Sequence, residues 1–286
     1  MPESWHDLGT SMVHRRAHLV PSGIYLSILN TLTAVVRLAL LTVSITPNDS
    51  NHMKIITWNC NRAFRKKLHR LADLEADLLI IQECENPAKT GNEYNQYREW
   101  AGDYLWHGAN QNMGLGIFPK NGTHIKRLHW PDDGLQFFLP CAVNDTFNLV
   151  GVWTKAAASH AYIGQLWKYL QINKDKLVAD NAVICGDFNS NAFWDKKRRD
   201  WNHSDVVQEL AKIGMVSHYH HYHGLEHGQE NLPTMFLLKN PEKPYHLDYA
   251  FTSEELLPQS SEFSIGDPSP WMSLSDHMPL TFTVTK

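Results

Sequence analysis

Short apolar runs that alternate in the manner of β-strands recur along the chain from Met53 onward, and this pattern constrains the fold most. The runs lie at residues 54–58, 77–82, 115–118, 136–143, 147–153, 182–185, 234–238, 247–251 and 280–284. Helical patterns are fewer. Many strands with few helices favour an α/β (α+β) fold, a four-layer sandwich in which two packed mixed β-sheets are flanked by helices.

Three segments carry the spacing of helices. Phe64, Leu68 and Leu71 repeat at helical spacing, and residues 162–177 form a longer amphipathic run. Ser204 is placed to cap a third helix that ends before residue 214. Residues 53–286 contain no internal repeat, low-complexity tract or linker, so we predict that they form one domain.

Residues 1–52 differ in character and are treated as an N-terminal extension. A basic stretch at residues 14–18 precedes a mostly apolar segment at residues 24–45, an order typical of a signal anchor. Arg37 opposes this, because a central Arg costs roughly 2.5–3.5 kcal/mol on insertion. Three interpretations stay open: non-native sequence upstream of Met53, a membrane or secretory segment, and an ordinary helix. We expect a cytoplasmic protein, or an anchored or exported one if residues 1–52 are native.

Composition excludes some classes of protein. With 43% hydrophobic and 20% charged residues the chain is in the globular range, and its net charge of −4 provides no large basic surface. Binding to a nucleic-acid backbone would therefore need a local basic patch. The four cysteines form no CxxC pair, so neither a cysteine zinc site nor a disulfide framework is indicated. They are expected to be buried in a reducing compartment.

Acids and amides stand in or directly after four of the strand-like runs and just before the last run, where a scaffold can project polar groups into a cleft. The segments are Thr57-Trp58-Asn59-Cys60-Asn61, Gln82-Glu83-Cys84-Glu85, Gly186-Asp187-Phe188-Asn189-Ser190-Asn191, His246-Leu247-Asp248-Tyr249-Ala250-Phe251 and Ser275-Asp276-His277-Met278-Pro279-Leu280. Taken alone, each is compatible with an ordinary turn, cap or solvated strand end.

Taken in order, these five segments resemble the signature motifs of the endonuclease/exonuclease/phosphatase superfamily, in particular its bacterial stand-alone domains. The resemblance spans nearly all of residues 53–286 and implies a hydrolase of phosphoric esters. It implies that Asp187 positions or deprotonates the attacking water, while Asn189 and Asn59 fix Asp187 and the phosphate. His277 would contact a phosphoryl oxygen, and Asp248 would accept a hydrogen bond from its other ring nitrogen.

The metal ligands expected at this site are oxygens. Glu83 is the principal candidate, helped by Asp276 and Asn61, because hard carboxylate and carbonyl oxygens suit Mg²⁺ or Mn²⁺. One position departs from the family, which usually carries a Tyr or His at the end of the 147–153 run. Here that place holds Trp153, whose indole donates one hydrogen bond but cannot relay a proton. Lys155 is a candidate for the missing phosphate contact.

The substrate is less well determined by the sequence. Basic runs with aromatic residues, at 62–67 and 194–199, could clamp a phosphate backbone and stack a base, or form solvated faces. We count Arg62 among the substrate-contact candidates. Five histidines fall within residues 218–227, which could be a metal or substrate loop or a polar surface loop; His227 is the substrate-contact candidate there.

We therefore expect a monomeric, metal-dependent phosphodiesterase, with nuclease as the leading activity and nucleic acid as its partner. Two alternatives stay open: an enzyme acting on a small-molecule or lipid phosphate, and a catalytically silent binding module. Contact with a membrane is expected only through residues 24–45.

Overall fold

A computed structural model of the protein describes residues 51–157, 160–259 and 262–286. The expectations for the basic stretch and the apolar segment 24–45 concern residues outside these ranges. Among the residues that are described, no helix is both long and apolar enough to span a bilayer.

Fourteen strands are found in the described ranges. In chain order they are β1 His52–Asn59, β2 Leu78–Cys84, β3 Leu105–Asn110, β4 Met113–Pro119, β5 Ile125–Arg127, β6 Phe138–Val143, β7 Phe147–Trp153, β8 Ala182–Asp187, β9 Met215–Ser217, β10 Met235–Phe236, β11 Pro244–Tyr245, β12 Asp248–Ser253, β13 Phe263–Ile265 and β14 Leu280–Thr285. Six form one sheet in the order β13-β14-β1-β2-β4-β3, and six form a second in the order β5-β6-β7-β8-β12-β9. The short strands β10 and β11 pair with each other.

Both large sheets are mixed in the same way. The pair β1 and β2 is parallel in the first sheet and the pair β7 and β8 is parallel in the second, while the other neighbours are antiparallel. The carboxyl ends of the parallel strands carry Asn59, Glu83, Trp153 and Asp187 at or next to the last residue.

Among the described residues, six short or medium helices accompany the sheets: α1 His69–Ala72, α2 Asn95–Ala101, α3 Ile163–Ala179, α4 His203–Lys212, α5 His218–His223 and α6 Pro268–Trp271. Single 3₁₀ turns lie at Phe64–Lys66, Asn92–Tyr94, Ala192–Trp194, Leu237–Lys239 and Glu254–Leu256.

The two sheets pack face to face over one apolar core. It contains fully buried side chains from both sheets, among them Ile55, Ile80, Ile117, Leu139, Leu149 and Val183. At Gly151 the strand β7 approaches β2 of the other sheet closely, because a Cβ there would lie 3.1 Å from Ile80 Cγ2. Burial of apolar side chains is the main favourable term in folding, and truncating one buried Leu to Ala typically costs about 2–5 kcal/mol of stability.

The outer faces of the sheets are covered by helices. On the first sheet, Trp58 and Phe118 pack with Phe64 and with Trp271 of α6. On the second, residues of β7, β8 and β12 pack under α3 and α4, including Val152, Ile184, Phe251, Leu166 and Val206. The predicted four-layer sandwich of two mixed sheets flanked by helices is thereby confirmed.

Most predicted elements are found, with shifts of at most two residues at their ends. The predicted helix through Phe64, Leu68 and Leu71 is divided into a 3₁₀ turn at Phe64–Lys66 and the short helix α1. The run 147–153 coincides with β7. The run 234–238 was wrong as a strand: only Met235–Phe236 pair, because Leu238 takes a left-handed φ of 56° in a 3₁₀ turn. The helix cap at Ser204 was also wrong. Asn202 caps α4, and Asp205 completes a capping box with it.

Candidate active site

The polar side chains from the five motifs meet at one end of the two packed sheets. Asn59 and Glu83 come from the parallel pair of the first sheet, and Asp187 ends β8 of the second. Asp248 begins β12 and lies directly opposite Asp187 in the antiparallel register. His277 stands just before β14 and makes an isolated bridge with Met235.

Local backbone features project these side chains. Glu83 has a φ of 61°, and the register between β2 and β4 shifts between Gln82 and Cys84, so that Glu83 sits on a bulge. Gly186, before Asp187, has a φ of 144°, and a Cβ there would lie 1.9 Å from the carbonyl oxygen of Val152. No residue with a side chain fits this close approach of β8 to β7.

Asp187 is held by three donors in a buried position. Asn59 Nδ2 donates to Oδ2 at 3.0 Å. Asn189 donates twice, from its backbone N–H to Oδ1 at 2.9 Å and from Nδ2 to Oδ2 at 2.8 Å. Burial raises the pKa of Asp187 to about 7, with Asp248 adding to the rise and His277 and Asn59 opposing it. A carboxyl group with such a pKa can exchange a proton near neutral pH.

His277 and Asp248 form a buried pair. His277 Nδ1 lies 2.9 Å from Asp248 Oδ2, and the same oxygen accepts a 2.7 Å hydrogen bond from Thr234 Oγ1. Burial by itself lowers the pKa of His277, but the carboxylates of Asp248 and Asp187 outweigh it and raise the pKa to about 10. His277 is therefore an imidazolium at neutral pH, and its Nδ1–H donates to Asp248.

The backbone of His277 is fixed as firmly as its ring. Trp58 Nε1 donates to the His277 carbonyl at 2.9 Å, and the His277 N–H donates to Ser275 Oγ at 3.0 Å. Ser275 in turn donates to the Asn59 carbonyl at 2.7 Å. One carboxylate oxygen each of Asp187 and Asp248 and one ring nitrogen of His277 all lie within 4.8 Å of one another.

The three predicted metal ligands belong to the same network. Asn59 Nδ2 also lies 3.3 Å from Glu83 Oε1, and Asn59 Oδ1 accepts from the backbone N–H of Asn61 at 3.0 Å. Asn61 Nδ2 donates to Asp276 Oδ1 at 2.8 Å. Among the described residues, the Glu83 carboxylate has the 3.3 Å contact with Asn59 and a 3.9 Å contact with the exposed Arg62, so the Glu83 oxygens keep lone pairs for a cation. This set of hard oxygen donors fits a divalent cation such as Mg²⁺.

Lys67 holds the two loops that carry Asn61 and Asp276. Its ammonium donates to the carbonyl of Leu274 at 2.7 Å, to that of Asn61 at 3.3 Å and to that of Cys60. Lys67 is buried and Arg65 pairs with Glu85, so within the basic run 62–67 only Arg62 and Lys66 are exposed. The predicted clamp at this run is therefore reduced to two residues.

Trp153 and Lys155 lie together at the end of β7. Trp153 is 3% exposed and stands opposite Asp187 in the parallel register. Its ring packs 4.7 Å from that of Phe137, and Lys155 Nζ lies 4.2 Å from its centroid. The structure thus places Lys155 against the Trp153 and Phe137 rings, at the end of the strand that pairs with β8. A contact with substrate stays a prediction for both Trp153 and Lys155.

The structure does not bring His227 to Asp187 or His277. It lies in a second group, with His220 and Glu230, whose donor atoms are within 4.8 Å of one another. The polar-surface-loop interpretation of residues 218–227 was wrong for the first residues, because 218–223 form α5 and His218 is buried against Phe282.

Sequence reasoning missed Thr234 and Glu230. Thr234 is fully buried and orients Asp248, but in the sequence it is one hydroxyl residue at the start of a presumed strand. Glu230 accepts from Asn191 Nδ2 at 3.0 Å, which joins the second group to the segment that follows Asp187. Neither contact leaves a signal in local spacing, because both depend on how distant loops fold together.

Comparison with known proteins agrees with this architecture. The sequence pattern described as the Endonuclease/Exonuclease/phosphatase family matches residues 56–277. Among solved structures, the chain is similar to an AP endonuclease from Archaeoglobus fulgidus, with a TM-score of 0.59, 19% identity and coverage of 80% of this chain and 98% of that one. No curated protein matches it significantly.

Two further structures share the fold. A 3′ phosphatase, NExo, from Neisseria bound to product DNA hairpin has a TM-score of 0.57 and 20% identity, covering 80% of this chain and 98% of that one. Truncated Caenorhabditis elegans TDP2 has a TM-score of 0.56 and 14% identity, covering 82% and 98%. At these identities the likeness establishes the fold.

Proposed function

Since the chain belongs to the Endonuclease/Exonuclease/phosphatase family, we propose that it is a divalent-metal-dependent phosphoesterase that hydrolyses phosphodiester bonds, with nucleic acid as its substrate. The observation that carries this proposal is the convergence of Asp187 with the His277–Asp248 pair within 4.8 Å, at the end of both sheets. This arrangement supplies a group that can accept a proton beside a fixed cationic donor.

Asp187 is the proposed base. Its pKa near 7 leaves a substantial ionised fraction at neutral pH, and a carboxylate in this state can accept a proton from water. Asn59 and Asn189 hold the carboxylate in one orientation through three hydrogen bonds. A neutral amide fixes position without competing for the proton, so both residues serve to position Asp187.

His277 is the proposed phosphate-binding cation. Its Nδ1–H is engaged by Asp248, which leaves the Nε2–H to donate to a phosphoryl oxygen. Charge that accumulates on that oxygen during hydrolysis is stabilised by a donor already in place. Asp248 and Thr234 act through His277 by fixing its ring.

Glu83, Asp276 and Asn61 are the proposed ligands of Mg²⁺ or Mn²⁺. When bound, such a cation neutralises charge on the phosphate oxygens and polarises the phosphorus centre. The 3.3 Å contact from Asn59 to Glu83 and the 3.0 Å contact from Asn59 to Asp187 keep the cation ligand and the base on either side of one amide.

A nucleic-acid substrate is supported by the surface beside Asp187. Asn191 caps the turn Ala192–Trp194, in which Phe193 is 59% exposed and Trp194 is 40% exposed. The exposed cations Lys196, Lys197 and Arg198 follow directly. Exposed aromatic rings next to cations suit base stacking with backbone neutralisation. The Neisseria 3′ phosphatase bound to a DNA hairpin supports the same class of substrate.

A substrate panel tests the proposal. The full chain is assayed with Mg²⁺, Mn²⁺ or EDTA on plasmid DNA, abasic-site duplex, single strands, RNA and a chromogenic phosphodiester. His277→Ala is the inactive variant, and His221→Ala, an exposed histidine, is its control. Metal-dependent cleavage of DNA or RNA that His277→Ala abolishes supports a nuclease, and its rate should fall steeply with salt.

Other outcomes lead to the alternatives. Cleavage of the chromogenic ester alone, insensitive to salt, would assign a small-molecule or lipid phosphate as substrate. Turnover of none of the substrates would favour a silent binding module. A monomeric state, a cytoplasmic location and a domain boundary at residue 53 remain predictions, tested by sedimentation, fractionation and limited proteolysis.

A further inference from the structure

A second cluster of metal-binding side chains lies apart from Asp187 and His277. It contains His220 within α5 and His227 and Glu230 in the following loop, and His203 at the start of α4 lies against it. One ring nitrogen each of His220 and His227 and one carboxylate oxygen of Glu230 all lie within 4.8 Å of one another. His203 Nε2 lies 3.4 Å from His227 Nδ1 but does not share this spacing with all three residues.

We propose that His220, His227 and Glu230 bind one zinc ion. Zinc is tetrahedral and takes imidazole, thiolate or carboxylate ligands, and where the protein supplies three of them water takes the fourth position. Ligands about 2.0–2.1 Å from zinc at tetrahedral angles are about 3.3 Å apart. His220 Nε2 lies 3.1 Å from Glu230 Oε1, which is close to this spacing.

One separation in the cluster is longer, at 4.0 Å between His227 Nδ1 and Glu230 Oε1. A rotation of the His227 ring shortens it, and His227 is the most exposed of the three residues in the group, with 15% of its side chain accessible against 9% for His220 and 3% for Glu230. The accessible edge at His227 also provides the entry path that a metal site requires.

Hydrogen bonds around the cluster orient its donors. Ser217 Oγ lies 2.8 Å from His220 Nδ1, so it can accept the Nδ1–H and leave Nε2 as the lone-pair nitrogen. Asn191 Nδ2 and the backbone N–H of Gly228 donate to the Glu230 carboxylate. Such contacts behind the ligands are typical of built metal sites, where they fix tautomer and orientation.

A metal site accounts for these histidines better than an ordinary polar core does. The rings of His220 and His227 stack with centroids 3.5 Å apart, and His203 Nε2 faces a nitrogen of His227. Two buried nitrogens near them, His203 Nδ1 and His246 Nε2, have no hydrogen-bond partner among the residues that the structure describes.

The site would link α5 to the segment that follows Asp187. His220 lies within α5, and Glu230 receives the side chain of Asn191, four residues after Asp187. The bound ion would hold the 187–191 segment in place without touching the reacting groups.

Zinc content is the test, measured on the full chain after dialysis against buffer with trace Zn²⁺ alone. The Glu83→Gln chain is used so that zinc at the oxygen-ligand site is not counted. We expect one zinc ion per chain, which His227→Gln or His220→Gln removes and the exposed control His221→Gln retains. Co²⁺ in place of Zn²⁺ should give the visible absorption of a four-coordinate ion and lose it in His227→Gln.

The outcomes separate cleanly. A folded Glu83→Gln chain without bound zinc would overturn the proposal whatever the histidine variants do. So would zinc retained equally by His227→Gln and His221→Gln. Should His227→Gln fail to fold, the zinc content of Glu83→Gln and a zinc-dependent rise in its melting temperature remain decisive, since a ligand that binds only the folded state raises stability.

Discussion

His277 Nδ1 lies 2.9 Å from Asp248 Oδ2, in a position where both side chains are almost completely buried. The same oxygen accepts a 2.7 Å hydrogen bond from Thr234 Oγ1, so the Asp248 carboxylate that orients the His277 ring is itself held in place. The pair has the form of a carboxylate that orients an imidazole and stabilises its cation.

Replacing Asp248 by Asn should lower turnover on the order of 10²-fold, because the ring loses the charge that keeps it cationic. The pKa of His277 should fall from its raised value of about 10 toward that of free histidine. NMR titration of the His277 ring measures the second effect. Thr234→Val is the matched control, since it removes a neutral hydrogen bond and should change both quantities less. An unchanged His277 titration in Asp248→Asn would contradict this role.

The rate should rise with pH through about 7 and level off above it. Burial raises the pKa of Asp187 to about 7, so the carboxyl group is protonated below that pH and cannot accept a proton from water. In Asn59→Ala this rise in rate should shift to higher pH, because the 3.0 Å hydrogen bond that lowers the pKa of Asp187 is lost. Profiles of kcat/KM at saturating Mg²⁺ provide the measurement. A profile that is flat from weakly acid to weakly alkaline pH would rule out Asp187 as the titrating base.

Glu83→Gln should raise the Mg²⁺ concentration needed for half-maximal rate by tenfold or more, on the order expected for loss of a ligand charge. The melting temperature should change little, because Glu83 is at a partly exposed strand end. Glu85→Gln is the comparison. Glu85 is buried and pairs with Arg65, so its loss should lower stability and leave the Mg²⁺ titration in place. Equal Mg²⁺ titrations for Glu83→Gln and the wild type would exclude Glu83 as a ligand.

Lys67→Met should lower both stability and activity. Three carbonyl groups lose their shared donor, and an unsatisfied buried acceptor costs about 1–3 kcal/mol. Activity should fall with stability because these carbonyls belong to the loops that carry Asn61 and Asp276. Lys66→Met, at the exposed neighbour, should match the wild type in both chemical denaturation and turnover. Identical denaturation midpoints for the two variants would contradict the structural role of Lys67.

The fold could be predicted largely from strand patterns, since β7 coincides with residues 147–153 and the other predicted long strands differ only at their ends. The six-residue strand β3 escaped prediction because its residues show no apolar alternation. The strands β5, β9, β11 and β13 escaped because two or three residues carry too little pattern. Leu238, which is 81% exposed, interrupts a predicted strand by taking a left-handed φ of 56°.

The candidate site likewise contains residues that could be predicted from the sequence and residues that could not. The motif residues Asn59, Asp187 and His277 stand out in the sequence because polar groups at the ends of apolar runs are unusual and follow the order of a known family. Thr234 and Glu230 could not be predicted, because their partners lie on other loops and their own surroundings in sequence are unremarkable. The basic run 62–67 was predicted as one patch, yet Lys67 and Arg65 are engaged within the protein.

The most direct test of the account is single-turnover cleavage of labelled DNA by the wild type and Asp187→Asn with Mg²⁺ present, alongside DNA binding measured by fluorescence anisotropy. The exposed carboxylate variant Asp133→Asn is the control. We expect a rate lower by on the order of 10²–10⁴-fold in Asp187→Asn with binding retained, and no change in Asp133→Asn. Cleavage by Asp187→Asn at the wild-type rate would contradict this expectation.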